Sequence, residues 1–324
     1  MDAFIQTYGF TIITMLIAAL LALSLYLPLM AGQLSLASPG FYAIGGYIGG
    51  LSSTQNFAQF VGEKNSYPVW LLLVEMLIAG VACGLLAYII GWIVLRLRGI
   101  FLALATISFV EIVRVGAIVF KDITKGQPGI ENIPQPFPTK FEYIWLMLPL
   151  LLFAMFFVYR LERVRAGRAL IAIREDELAA SAVGINPTHF KVLAFTLGGI
   201  FAGVAGAVSC HLNNTWNPSF GTFDASILIL AMVLVGGSRT FLGPVTGGVI
   251  VTALPEVLRA IASQPGIDPA LGKLIADSRL IIFGILITAG AVTFPQGLIN
   301  PDFFRRFRRK PDATPIPSPA GVVK

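Results

Sequence analysis

Gly167-Arg168-Ala169-Leu170-Ile171-Ala172-Ile173-Arg174-Glu175-Asp176-Glu177-Leu178-Ala179-Ala180-Ser181-Ala182-Val183-Gly184-Ile185-Asn186 is a charged island between two apolar runs. Each flanking run is long enough to cross a bilayer, which takes roughly 18 or more apolar residues. Within the island, Leu170, Ile173, Leu178 and Ala182 recur at helical spacing, which predicts a short amphipathic helix. Gly184 suits a C-terminal cap, and Asn186-Pro187 forces a break before the next run. A solvated interfacial loop fits this pattern, and so does a surface on which a soluble partner docks.

The rest of the chain shares the apolar character of the flanks. Of 324 residues, 56% are hydrophobic and only 12% charged, with a mean hydropathy of +0.80. Soluble domains carry about 25% charge, so the expected fold is all-α, a polytopic helical membrane protein. The 33 glycines agree, because glycine lets membrane helices approach closely. Cys83 and Cys210 lie in apolar runs and suggest neither a disulfide nor a metal site, and His189 and His211 are too few and too far apart for one. No basic segment precedes the first apolar run, so a retained span from about Tyr8 to Met30 is expected in place of a cleaved signal.

Apolar length and breaks predict roughly nine crossings, within a range of about 8–10. They fall near 8–31, 34–54, 70–95, 99–120, 143–160, 190–211, 225–238, 241–262 and 279–294. The second contains Pro39 and many small residues. The seventh and eighth are short and separated by Gly236-Gly237-Ser238-Arg239-Thr240. Broken spans of this kind require protein or a water-filled cavity to satisfy the freed backbone. The net charge of +6 sits in clusters: Arg96 and Arg98, then Arg160 to Arg174, then Arg305 to Lys310. All fall on one face if the N-terminus is outside and the C-terminus cytoplasmic, which explains the charge without nucleic acid. Residues 1–300 therefore read as one transmembrane domain with a cytoplasmic loop at 160–190. Residues 301–324 read as a polar, proline-rich, disordered cytoplasmic tail.

Several polar groups fall inside the apolar runs. Glu111 and Arg114 lie three apart, on one helix face. Unpaired charge there would be costly, so they read either as a pair on a translocation path or as a structural ion pair. Glu75 and the Glu256/Arg259 pair read as groups near span ends. Gln33, Ser35, Ser38, Tyr42, Thr106 and Ser108 could line a polar path; serine and threonine could equally bond to backbone carbonyls.

Five ordered motifs carry a family resemblance. Ala179-Ala180-Ser181-Ala182-Val183-Gly184 resembles the Ala-Ala-xxx-Gly part of the coupling loop of bacterial ABC-importer permeases, with Leu178 at the usual glutamate position. The run from Gly167-Arg168-Ala169 through Arg174-Glu175-Asp176-Glu177 to Gly184-Ile185-Asn186 is similar to the permeases for branched-chain amino acids, in particular their LivM-like subunits. Gly32-Gln33-Leu34-Ser35-Leu36 with Gly40 to Tyr47, Arg96 to Thr106 leading to Glu111-Ile112-Val113-Arg114, and Val235 to Pro244 resemble further motifs of that family. So does Phe294-Pro295-Gln296-Gly297-Leu298. The chain departs from the family pattern at Thr124 to Ile130 and at Ser38-Pro39.

The resemblance covers about residues 15–300. It implies a bacterial inner-membrane permease subunit moving branched-chain or other neutral amino acids. It also implies a second homologous permease subunit, two cytoplasmic ATP-binding subunits and an extracytoplasmic binding protein as partners. Coupling to the ATPases would fall on Gly167, Arg168, Arg174, Glu175, Asp176, Glu177, Ala179, Ala180 and Gly184. Urea or short amides are an alternative cargo, and an ion-coupled secondary carrier is a rival from another class. No Gly-x-x-x-x-Gly-Lys-Ser/Thr phosphate loop is present in the sequence, so energy from ATP would have to come from a partner. No catalytic residue, cofactor or metal is expected.

Overall fold

A computed structural model describes residues 2–56 and 67–262, together with Gly284, Ile285 and Thr288. Apart from those last three residues the ninth expected crossing lies outside the described residues, as do the Phe294 to Leu298 motif and the 301–324 tail. Eleven helices occur among those described: α1 (Asp2–Leu29), α2 (Ser38–Leu51), α3 (Val69–Val94), α4 (Ile100–Val119), α5 (Lys121–Thr124), α6 (Ile144–Arg163), α7 (Arg165–Glu175), α8 (Glu177–Ala182), α9 (Pro187–Asn213), α10 (Phe223–Gly236) and α11 (Leu242–Ala262). The fold is all-helical, and among the described residues six segments are long and apolar enough to cross a membrane: α1, α3, α4, α6, α9 and the stretch ending in α10. A two-residue antiparallel ladder, β1 (Ile130–Glu131) with β2 (Thr215–Trp216), joins two loops at one end of the bundle.

The core lies along α1 and α9, the most enclosed spans together. The other spans keep one apolar face outward. On α3, Leu73, Leu77, Val81, Leu85, Ile89 and Ile93 are exposed at every fourth position, a stripe suited to lipid. Opposite it, Leu72, Met76, Ala79, Cys83 and Ala87 are buried. A helix apolar on all sides is expected of a span. Between α2 and α9 the backbones nearly touch: a Cβ on Gly45 would collide with the carbonyl of Gly203, and one on Gly206 with that of Tyr42.

One expectation about broken spans needs correction. Pro39 does not interrupt the second span. Residues 33–37 are irregular, and α2 begins at Ser38 with proline in its first turn, where its missing N–H is no loss. The seventh and eighth runs are separate, as expected: Gly237, at φ +111°, follows the end of α10, and Gly243 and Pro244 fall in the first turn of α11. The breaks are therefore helix ends. α2 and α10 have 14 residues each, about 21 Å; α2 runs on into a wider helical turn at Ser52–Asn56, and the turn at Pro218–Phe220 precedes α10. α2 and α10 meet near their N-termini, where the Ser226 hydroxyl donates to the Leu36 carbonyl at 3.1 Å.

Candidate functional site

The charged island folds as two helices. Val164 is extended and turns the chain from α6 into α7. Gly167, Ala169, Leu170 and Ile173 face the bundle and are buried. Asp176 is also extended, at φ −153°, and its carboxylate accepts from Leu178 N at 2.8 Å and Ala179 N at 3.0 Å. It thus caps a second helix, α8. This corrects the expectation of one continuous apolar stripe: Leu178 is 74% exposed and Ala182 is exposed as well. Aspartate competes with the helix for its own backbone amides, and here the competition splits the island in two.

The stop is local, as its residues suggest. Gly184 takes φ +84°. Its N–H donates to Ser181 O at 3.0 Å and the Ile185 N–H donates to Ala180 O at 3.1 Å. Asn186 then caps α9 by accepting from His189 N at 3.2 Å, and Pro187 occupies the first turn.

Two side chains fasten this element to the ends of the spans, and a third, Glu162, ties the span end just before it to α1 and the α10–α11 turn. Arg174 donates to the Ser238 carbonyl, in the α10–α11 turn, at 3.0 Å. Glu177 lies 2.9 Å from Lys191 at the start of α9 and 3.6 Å from Arg98 in the α3–α4 turn. Glu162, at the end of α6, accepts from the Tyr26 hydroxyl at 2.7 Å and from Phe241 N at 3.1 Å. The opposite face is left to solvent: Arg168, Glu175, Leu178 and Val183 are exposed. Neither Arg168 nor Glu175 forms an ion pair among the described residues. Ala179 is exposed and Ala180 buried.

The polar residues singled out within the spans do not share one chamber. Gln33 is 3% exposed, its amide has no hydrogen-bond partner, and it lines a cavity of about 700 Å³ beside α4 and α7. Tyr42 lines a different, largely apolar cavity of about 460 Å³ between α1, α10 and α11. Thr106 accepts from Leu36 N at 3.0 Å and donates to Ala103 O at 2.9 Å, so it pins the irregular segment to α4. The Ser35 hydroxyl accepts from Ala37 N at 3.4 Å, and Ser38 is buried at the start of α2. Ser108 bonds back to Leu104 O at 2.9 Å. Glu111 and Arg114 form an ion pair at 2.7 Å with both side chains about one-third exposed on α4.

One cluster escaped sequence reasoning. Glu75 and His211, both fully buried, meet at 2.7 Å between Oε2 and Nε2. Nδ1 of His211 sits 2.7 Å from the Pro134 carbonyl, and the Tyr67 hydroxyl donates to Glu75 Oε1 at 2.6 Å. A carbonyl has no proton to give, so Nδ1 carries one. The Nε2–Oε2 contact then joins the ring to the carboxyl group by one hydrogen bond. Burial, with Glu75 beside it, pushes the Tyr67 phenol above its ordinary range, which keeps it a donor. The only sequence signal was two ionisable residues in apolar runs near the same end of the bundle. Among the described residues no group of three metal-ligating side chains forms.

A family model described as "Branched-chain amino acid transport system / permease component" matches residues 8–289. The chain belongs to this family. It is 32% identical to the high-affinity branched-chain amino acid transport system permease protein LivM of Salmonella typhimurium, over 83% of this chain and 64% of that protein. The LivH permease protein of the same organism is 27% identical over 51% of each chain. The ribose import permease protein RbsC of Escherichia coli is 26% identical over 44% of each. The chain thus spans just under two-thirds of the LivM relative's length. No solved structure matches it. The family match and the six spans make this a multi-pass membrane protein.

Proposed function

We propose that this chain is the membrane-spanning, non-catalytic permease subunit of an ATP-driven importer for branched-chain or other neutral amino acids. On this reading it sits in a bacterial inner membrane with α7 and α8 on the cytoplasmic side and its N-terminus outside. A homologous permease subunit pairs with it, two ATPase subunits dock on α7–α8, and a binding protein delivers solute from outside.

The observation that carries the reading is the two-sided character of α7–α8. One side is bonded through Arg174 and Glu177 to the α10–α11 turn, the α3–α4 turn and the start of α9, and buries Leu170 and Ile173. The other presents Arg168, Glu175, Leu178 and Val183. A docking subunit that moves this element would move α3, α4, α9 and the α10–α11 turn with it. An amino-acid cargo is supported by the family description and by a chain whose ion pairs are mostly satisfied internally, since a zwitterion brings no net charge.

The test is substrate-stimulated ATP hydrolysis and uptake by the reconstituted complex, with a panel of labelled amino acids, ribose and urea. Leu178→Asp and Val183→Asp should abolish both while leaving the permease folded. Full coupling in both variants would refute the docking assignment. Uptake of ribose or urea, with no amino acid accepted, would refute the cargo.

A further inference from the structure

Between the irregular segment 33–37, the start of α4 and helices α7–α8 lies the cavity of about 700 Å³ that Gln33 lines. Its size is that of a small-molecule site, roughly 300–1,000 Å³. Among the described buried side chains without a partner, only Gln33 leaves two polar atoms bare, its amide nitrogen and its amide oxygen. An unsatisfied buried polar group costs about 1–3 kcal/mol, so such a group calls for an explanation. Water or a ligand is the partner the cavity admits.

The remaining lining defines that ligand. Arg98, Arg174 and Lys191 face one carboxylate, Glu177. Glu177 already pairs with Lys191 at 2.9 Å and stands 3.6 Å from Arg98. An excess of positive charge remains, which attracts a carboxylate. Leu34, Leu102, Leu104, Ile107 and Ile173 supply an apolar wall. A carboxylate for the cations, an ammonium for the Gln33 amide oxygen and an aliphatic body for the apolar wall together describe an aliphatic amino acid.

We propose that this cavity is a cytoplasmic-side binding site for an aliphatic amino acid, with Gln33 as its buried polar contact, occupied before release. The inference rests on the reading of the chain as an amino-acid permease. It also ties cargo to coupling, because Arg174 and Glu177 belong both to the cavity and to α7–α8. Filling the site bears on the element that the ATPases would drive.

The experiment uses the full complex, nucleotide-free, in lipid nanodiscs, with Cys83 and Cys210 replaced by alanine and a single cysteine introduced by Leu34→Cys. The rate of labelling by a water-soluble maleimide is followed as leucine is added, in phosphatidylcholine discs and in discs containing phosphatidylglycerol. Leucine should slow labelling saturably in both lipids. Gln33→Leu should raise the half-maximal leucine concentration about tenfold or more, about 1.4 kcal/mol. If that variant does not assemble, Gln33→Met keeps the length of the side chain without its amide and should weaken protection likewise. Absence of leucine protection overturns the proposal. So does protection by phosphatidylglycerol alone, which marks an anionic-lipid site, and so does leucine protection that neither Gln33 variant alters. ATP-driven leucine uptake by the same complex separates the two failures. Uptake without protection sinks only this site, whereas loss of both sinks the amino-acid reading too.

Discussion

At the scale of residues, the features readable in advance are those whose chemistry closes within a few positions. Gly184 shows this well. It holds φ +84° with open space where a Cβ would sit, so only backbone strain opposes a side chain there. Gly184→Val should cost about 1–2 kcal/mol, the penalty for an L-residue in the left-handed region; Gly184→Asn should cost less, because asparagine tolerates that region. Thermal melts of the purified subunit measure both, and a valine variant as stable as the parent would mean that the cap rearranges. Glu111 and Arg114 were legible for the same reason, three residues apart on one helix. Each single alanine variant leaves a charge in a membrane segment without its 2.7 Å partner, so each should be less stable than the double variant. A double-mutant cycle with additive losses would show that the two groups act independently. Glu75 and His211, by contrast, are 136 positions apart. No local pattern announces that contact, since only the packing of α3 against α9 creates it.

At the scale of elements, the spans were legible because apolar length is itself the signal, and the limits of α3, α4, α6 and α9 fall within a few residues of expectation. The irregular entry to α2 and the division of the island were not. Both turn on a polar group choosing between helix and an alternative partner: Thr106 takes the Leu36 amide, and Asp176 takes two amides of α8. Helical periodicity in the sequence runs straight through Asp176 and hides the choice. Asp176→Ala should therefore cost about 1 kcal/mol through loss of the cap, whereas Asp176→Asn should retain most of it. Hydrogen exchange of the α8 amides reads this directly. Faster exchange is expected in the alanine variant at Leu178 and Ala179, and unchanged exchange there would show that α8 does not need its cap.

At the scale of the whole molecule, polar chemistry gathers at the two ends of an apolar bundle. One end holds Arg174 and Glu177, which link α7–α8 to the spans, and Glu162, which links α6 to α1 and the α10–α11 turn. The other holds Tyr67, Glu75, His211 and the Pro134 carbonyl, which link the 121–142 loop to α3 and α9. This second cluster is fully enclosed, so its energetics are those of a buried pair. Removing one partner strands the other and should cost about 3–5 kcal/mol, whereas replacing both with apolar groups of similar volume is far less damaging. Glu75→Leu and His211→Leu should each lower stability sharply and expose the 121–142 loop to protease. The double variant should lose less than the sum of the two singles. It should not recover fully, because Tyr67 and Pro134 also lose a partner. Docking of ATPases at α7–α8 should survive in all three, since that element shares no side-chain contact with the cluster. Strictly additive losses in melts and proteolysis would show that the imidazole and carboxylate do not act as a unit. Loss of docking along with loop protection would show that the two ends of the bundle are coupled through α3 and α9, the spans they share.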